Sequence, residues 1–146
     1  MLALHEAGSG VSIPFGENAR YDLVIDDGIR LARVQCKTGR LRNGAITFKT
    51  SSSYAHHRTP RQNRLHYQGQ IDFFGVYCRA TRGTYLVPIE EVTTTCEAML
   101  RVSPARNRQQ KRIRLASDYE LGSANMACVS PTRALHGSSG ARGSSA

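Results

Sequence analysis

Two segments of alternating apolar and polar residues constrain the fold of this chain more than any other feature. They span residues 21–26 and 29–37, and Asp27-Gly28 lies between them. An Asp-Gly pair between alternating runs is the strongest short-range signal for a β-hairpin. The sequence therefore predicts two antiparallel strands joined by a two-residue turn.

The predicted hairpin has one polar face and one apolar face. A two-residue turn pairs Asp26 with Ile29 and places Asp22 opposite Arg33, with Gln35 as its diagonal neighbour. Side chains alternate along each strand, so the polar face carries Asp22, Arg33, Gln35 and Lys37. The other face carries Tyr21, Leu23, Ile25, Ala32, Val34 and Cys36, which suit a core. A slip of one residue would bury the charged set instead, which favours this register.

The rest of the sequence predicts one domain built around a mixed sheet. Strands are expected over residues 45–50, 71–78, 84–89 and 98–102, with a helical turn after Pro88 and a strand followed by a helical turn over residues 113–121. With 146 residues, 40% of them hydrophobic, the chain supports a single core. The expected class is α/β (α+β), a mixed β-sheet flanked by helices. We expect the domain to span residues 1–128 and the Gly/Ser-rich residues 129–146 to form a disordered tail.

Positive charge is concentrated in two segments. The formal charge is +9, and 17 of the 20 basic residues are arginine. Residues 40–70 contain six basic residues and no acid, and so do residues 101–114. Because a solvated surface normally mixes both signs, these segments predict contacts with nucleic-acid phosphates. The candidate nucleic-acid-binding residues of the first segment are Arg40, Arg42, Lys49, Arg58, Arg61 and Arg64. Tyr54 and Tyr67 lie in the same segment and could stack on bases, although packing is the more usual role of a tyrosine.

Several other classes of protein are disfavoured. No apolar run approaches the roughly 20 residues of a membrane span, and the first residues lack the pattern of a signal peptide. The expected location is therefore the cytoplasm. The four cysteines are widely spaced without a C-x-x-C pair, which indicates buried, reduced thiols rather than zinc or redox chemistry.

The polar face of the hairpin holds the side chains most suited to catalysis. Asp22 and the Gln35 side-chain oxygen are hard ligands of the kind that Mg²⁺ prefers. Lys37 could orient the attacking water or stabilise the charge of a phosphodiester transition state. The alternative is an exposed cross-strand ion pair between Asp22 and Lys37, worth less than about 1 kcal/mol, with no chemical role.

Residues 14–26 and 34–39, Pro-Phe-Gly-Glu-Asn-Ala-Arg-Tyr-Asp-Leu-Val-Ile-Asp and Val-Gln-Cys-Lys-Thr-Gly, resemble the core of the PD-(D/E)XK nuclease superfamily. They are most similar to the branch of group I intron-encoded homing endonucleases and their bacterial relatives, in which Gln replaces the acid of the D/E-x-K element. Residues 67–77, 85–89 and 116–120 agree with that branch, so the resemblance covers about residues 10–121.

The resemblance implies a restriction-endonuclease-like core and a metal-dependent endonuclease that hydrolyses phosphodiester bonds of double-stranded DNA. Asp22, Gln35 and Lys37 match the catalytic positions. Asp22, Gln35 and the backbone carbonyl of Cys36 match the metal ligands, with Mg²⁺ as the expected ion and Mn²⁺ as a possible substitute. Asp72 also matches the pattern, but its expected role is to hold a turn or to pair with an arginine rather than to bind the metal. Homing nucleases of this kind often form dimers or tetramers, so a homo-oligomer is expected.

One part of the family pattern is missing. The family has a helix before the first strand that supplies an acidic residue to the metal site, and we expect that helix to be missing or truncated here. Glu6 and Glu17 are the only acids in that region, and neither matches the expected position. The main alternative is therefore a catalytically inactive, basic nucleic-acid-binding remnant of the same fold. A basic RNA-binding or ribosome-associated protein is a third, weaker alternative.

Overall fold

The computed structural model describes residues 1–16, 19–52, 65–103 and 113–122. In chain order the elements are α1 (Leu2–Glu6), β1 (Gly10–Ser12), β2 (Leu23–Asp26), β3 (Leu31–Arg42), β4 (Ala45–Lys49), β5 (Ser51–Ser52), β6 (Leu65–His66), β7 (Phe73–Cys78), β8 (Gly83–Pro88) and β9 (Glu97–Arg101). Two 3-10 turns follow β8 and β9, at Ile89–Glu91 and Ala116–Asp118.

Seven of these strands form one mixed sheet. Its main path runs β1-β2-β3-β4-β9, and β7 joins β3 and carries β8 on its other side. The β3–β7 pair is parallel and the other pairs are antiparallel. The predicted mixed sheet and α+β class are confirmed. Helices are scarcer than expected, since the described residues contain one five-residue helix and two 3-10 turns.

The turn of the first hairpin differs from the prediction. Asp26 pairs with Leu31, so the loop has four residues rather than two. Asp26 Oδ1 accepts the Gly28 N–H at 2.9 Å, and Asp27 Oδ1 accepts the N–H groups of residues 29 and 30 at 2.9 and 2.8 Å. Aspartates that bind their own backbone in this way favour a wider turn. Gly28 takes the left-handed conformation at φ +84°.

The shift in register is two residues, so it preserves the two faces. Val24 rather than Asp22 lies opposite Arg33, but side chains repeat every two residues and stay on their predicted sides. On the apolar face, Leu23, Ile25, Ala32 and Val34 are buried with Leu4, Phe73 and Leu86. The predicted apolar face is therefore largely confirmed.

Tyr21 and Cys36 do not join that face of the core. Tyr21 precedes β2, where alternation does not yet apply, and it packs against the larger cluster on the other side of the sheet. Cys36 is exposed, Cys96 is half-buried and Cys78 is buried. The prediction of buried thiols was thus right for Cys78 and wrong for Cys36. Partial desolvation, and then the negative charge of Asp22, raise the pKa of the Cys36 thiol.

The larger core cluster lies beneath β4, β7, β8 and β9. It contains Ile46, Phe48, Phe74, Val76, Val87 and Leu100, each at most 2% exposed. Gly39 lies where β3 changes partner from β7 to β4. A Cβ atom there would lie 2.6 Å from Ile46 Cγ2 and 3.0 Å from Val76 Cγ1. Glycine therefore lets β3 approach its neighbours at this crossing.

A short helix does precede the first strand. Helix α1 spans five residues, and its Leu4 is buried against the sheet. Within the described part of the chain, no helix is long and apolar enough to cross a membrane. The predicted tail, residues 129–146, lies outside the described residues, as do Glu17, Tyr54, Arg58, Arg61, Arg64 and Cys128.

Candidate active site

Asp22 is fixed at the point where β2 begins. Its backbone N–H donates to the Val34 carbonyl at 2.9 Å. Its carboxylate oxygen Oδ2 accepts two hydrogen bonds, from Gln35 Nε2 at 2.5 Å and from the Cys36 N–H at 2.7 Å. The hairpin thus brings the predicted carboxylate and amide into direct contact, although Asp22 is exposed and Gln35 half-buried.

Lys37 lies on the same side of β3 as Gln35, two residues further along. Its ammonium nitrogen lies 3.1 Å from the Tyr67 hydroxyl oxygen. Tyr67 is only 4% exposed and packs edge-on against Phe74, so it is a core residue and not a base-stacking platform. The three predicted catalytic side chains therefore share one face. Lys37 is bonded to a tyrosine rather than ion-paired to Asp22 as the alternative supposed.

The donor set around Asp22 suits a hard divalent cation. With its Nε2 turned to Asp22, Gln35 leaves its side-chain oxygen available, and Asp22 Oδ1 is the carboxylate oxygen that these two bonds do not use. The N–H and C=O groups of a residue in a strand point to the same neighbour. Since the Cys36 N–H faces Asp22, its carbonyl is directed to that side as well. Carboxylate, amide and carbonyl oxygens are the ligands that Mg²⁺ prefers.

The carboxylate count at this site is low. Among the described residues, no cluster of three or more His, Cys, Asp or Glu side chains is placed to hold a metal ion. Glu6 lines a groove of about 550 Å³ together with Val34, Cys36 and Lys37. Asp22 and Gln35 are not among the residues that line this groove. Asp22 is thus the anionic member of the predicted ligand set.

Asp72 forms an ion pair with Arg33, which is one of the two roles expected from the sequence. Its carboxylate accepts the Arg33 backbone N–H at 2.7 Å and the Nε–H at 3.2 Å, and Nη2 lies 3.4 Å from the second oxygen. Partial burial works against ionisation, but the hydrogen bonds and charge of Arg33 outweigh it and hold the pKa of Asp72 below its usual value. This pair ties β3 to the start of β7 and leaves Asp72 without a role as a ligand.

The described members of the predicted nucleic-acid-binding set lie around the β3–β4 hairpin. Arg40 and Arg42 are exposed and leave the face of β3 opposite to that of Lys37. Lys49 lies 3.8 Å from Glu97, its cross-strand neighbour on β9. Arg101 joins the group because Ala45 lies between it and Arg42 in the sheet register. Arg40 and Arg42 therefore form a basic surface distinct from the Asp22 site.

Sequence reasoning missed Arg20 and the role of Tyr67. The Arg20 guanidinium lies 4.6 Å from the centre of the Tyr67 ring and donates to Gln70 Oε1 at 2.7 Å and Ser52 Oγ at 2.9 Å. Tyr67 is 30 residues from Lys37 in sequence. The alternation of residues along a strand cannot predict contacts between residues so far apart in sequence. The sequence signal for Arg20 and Tyr67 is that both fall within the segments that resemble the nuclease family.

Comparisons with known proteins agree with the fold. No curated protein matches the chain significantly. The solved structure of a bacterial homing endonuclease, I-Ssp6803I, is similar with a TM-score of 0.61 and 24% sequence identity, covering 82% of this chain and 79% of that one. The sequence profile described as PD-(D/E)XK endonuclease matches residues 1–122. The chain therefore belongs to the PD-(D/E)XK endonuclease family.

Proposed function

We propose that this protein is a Mg²⁺-dependent endonuclease that hydrolyses phosphodiester bonds in double-stranded DNA. The observation that carries the proposal is the convergence of Asp22, Gln35 and Lys37 on one face of the β2–β3 hairpin. Family membership supports the nuclease activity, and the formal charge of +9 supports a nucleic-acid substrate.

In this proposal Asp22 Oδ1, the Gln35 side-chain oxygen and the Cys36 carbonyl hold the divalent ion. When bound, Mg²⁺ supplies Lewis-acid polarisation of the scissile phosphoryl group. The backbone N–H of Cys36 fixes the Asp22 carboxylate through its other oxygen. Lys37, held beside the site by Tyr67, stabilises the negative charge that develops on the phosphoryl oxygens during in-line attack by water.

The basic surface formed by Arg40 and Arg42 would bind DNA phosphates at some distance from the bond that is cleaved. Arg40 and Arg42 each lie five residues along β3 from Gln35 and Lys37 respectively, about 17 Å at ~3.3 Å per residue. That is about half of the ~34 Å turn of B-DNA. A duplex whose reacting phosphate lies at Lys37 can therefore place other phosphates, half a helical turn away, against Arg40 and Arg42. To reach them it passes around the edge of the β3–β4 hairpin. These arginines would contribute affinity without touching the reacting phosphate.

The test is incubation of the purified chain with duplex DNA and Mg²⁺ or Mn²⁺, with EDTA as the metal-free control. We expect cleavage that depends on the metal, that Mn²⁺ supports at least as well as Mg²⁺, and that Asp22→Asn and Lys37→Ala each abolish. Asp118→Asn changes an exposed aspartate in the 3-10 turn that follows β9; it is the matched control and should leave cleavage intact. Cleavage that survives both Asp22→Asn and Lys37→Ala would refute the assigned roles.

A second candidate function follows from the low carboxylate count. If a single carboxylate binds the metal too weakly, the protein is a DNA-binding member of the family without nuclease activity. It would then bind duplex DNA with an affinity that falls steeply with salt, show no dependence on divalent ions and never cleave. Competition between duplex DNA and structured RNA would identify an RNA-binding protein. Sedimentation of the full chain tests the predicted dimer or tetramer.

A further inference from the structure

Tyr67 makes a contact that neither the family pattern nor the charge distribution predicts. Its hydroxyl oxygen lies 3.1 Å from Lys37 Nζ, and the same nitrogen lies 4.7 Å from the ring centre. A lysine ammonium can only donate, so the tyrosine oxygen is the acceptor. The Tyr67 hydroxyl proton then remains available to a further acceptor beside the ammonium.

The ring of Tyr67 is held from several sides. Phe74 meets it edge-on at 5.6 Å between ring centres, with 89° between the ring planes. The Arg20 guanidinium lies 4.6 Å from its centre and is itself bonded to Ser52 and Gln70. The backbone carbonyl of Tyr67 accepts the Gln70 N–H at 2.9 Å, which closes the turn that follows. The hydroxyl is therefore presented from a rigid base.

Lys37 depends on such support because its side chain is intrinsically mobile. A lysine carries a point charge on a flexible four-carbon stem, and ordering that stem costs conformational entropy. Displacement of a reacting or charge-stabilising group by about 1 Å can cost on the order of 100-fold in rate. An acceptor fixed in the core removes that freedom before substrate arrives.

We propose that Tyr67 is a positioning residue that fixes the Lys37 ammonium against the reacting phosphate by accepting a hydrogen bond from it. This inference rests on the proposed nuclease function and deepens it. Tyr67 acts through Lys37. It increases the fraction of time that the Lys37 ammonium is placed to stabilise transition-state charge. It does not contribute to DNA affinity, which comes from Arg40 and Arg42.

The activity test is Tyr67→Phe, which keeps the ring and removes only the hydroxyl. We expect kcat for DNA cleavage to fall about 10-fold or more while KM stays unchanged. The matched control is Tyr85→Phe. Tyr85 is 3% exposed and its hydroxyl lies 2.9 Å from Thr81 Oγ1, so this variant also loses a buried hydroxyl, but one bonded to Thr81 and not to Lys37. It should match Tyr67→Phe in thermal midpoint and retain the wild-type kcat.

A second readout does not need nuclease activity. The chain has three lysines, Lys37, Lys49 and Lys111, so their ammonium groups can be resolved by ¹H–¹⁵N NMR, with Lys37→Arg assigning one signal by its loss. We expect the Lys37 ammonium of the wild-type protein to be markedly more ordered than that of Lys49, whose side chain is 74% exposed. Tyr67→Phe should remove that difference.

The outcomes separate this inference from the proposed function. Equal ammonium order for Lys37 and Lys49 in the wild-type protein overturns the role of Tyr67, and so does an unchanged kcat in Tyr67→Phe, although nuclease activity would stand in both cases. A wild-type protein that orders Lys37 through Tyr67 but never cleaves DNA overturns the nuclease proposal instead.

Discussion

Replacing Gln35 by glutamate tests how the candidate site sets its affinity for a divalent cation. In the structure Gln35 Nε2 donates to Asp22 Oδ2 at 2.5 Å. The change replaces that donor with a second carboxylate and turns an attraction into a repulsion. Two unit charges about 4 Å apart interact by about 1 kcal/mol in water and by about 4 kcal/mol near a protein surface.

The magnitude follows from the exposure of the two side chains. Asp22 is exposed and Gln35 is half-buried, so we place the repulsion near the lower end, at about 1–2 kcal/mol. A bound cation relieves this repulsion and also gains a second anionic ligand. Since 1.4 kcal/mol corresponds to a factor of ten, Gln35→Glu should bind Mn²⁺ at least about tenfold more tightly than the wild-type protein. Without metal it should have a lower thermal midpoint.

Isothermal titration with Mn²⁺ and thermal unfolding with and without the ion measure both effects. Gln68→Glu is the matched control, because it makes the same change of charge at an exposed position outside the site. If Gln35→Glu binds Mn²⁺ no more tightly than Gln68→Glu does, residue 35 does not contribute a ligand to the ion. A metal-free Gln35→Glu variant as stable as the wild-type protein would show that residues 22 and 35 do not repel each other.

Three further predictions concern stability and DNA affinity. The pKa of Asp72 is lower in the folded state than in the unfolded state. Its ion pair with Arg33 therefore stabilises the fold above the unfolded-state pKa, and this contribution is lost as the pH falls through the folded-state pKa. The free energy of unfolding measured with urea should differ less between pH 7 and pH 3 for Asp72→Asn than for the wild-type protein. Gly39→Ala should destabilise the fold by about 1–3 kcal/mol through overpacking against Ile46, and an unchanged thermal midpoint would contradict the close approach. The double variant Arg40→Ala/Arg42→Ala should weaken DNA binding and reduce the salt slope by about 0.9 for each phosphate that these arginines neutralise, with kcat unchanged; an unaltered slope in a binding titration would exclude the hairpin from the interface.

The sequence predicts the faces of the first hairpin more securely than its turn. Asp-Gly favours a two-residue loop, but the carboxylates of Asp26 and Asp27 bind backbone N–H groups and stabilise a four-residue loop. The resulting shift is even, so Gln35 and Lys37 keep their predicted face. The pattern of residues therefore predicts which side chains share a face of the hairpin, but it does not predict which of them are in direct contact.

Contacts distant in sequence limit the prediction of the site. The bond between Lys37 and Tyr67 joins residues 30 positions apart, and the contact between Arg20 and Tyr67 joins two separate segments. Strand alternation has no information about such pairs, because they depend on how the segment before β7 packs against the sheet. The pairing of Asp72 with an arginine was predictable in kind, although its partner Arg33 became clear only from the structure.

The exposure of Cys36 has a similar cause. Its position on the apolar side of the alternation predicts burial, but β2 begins opposite Val34. Beyond that point β2 no longer extends beside β3, and the thiol lies in the groove beside α1. The end of a neighbouring strand, which a sequence defines poorly, decides the burial of this residue.

The central claim is that oxygens of Asp22, Gln35 and Cys36 together hold a divalent ion beside Lys37. The most direct measurement is the anomalous scattering of crystals of the full chain grown with Mn²⁺. We predict one strong peak within about 2–2.5 Å of the Asp22 carboxylate, the Gln35 side-chain oxygen and the Cys36 carbonyl. A peak held by other residues, or these three groups well ordered with no ion between them at saturating Mn²⁺, would contradict the account.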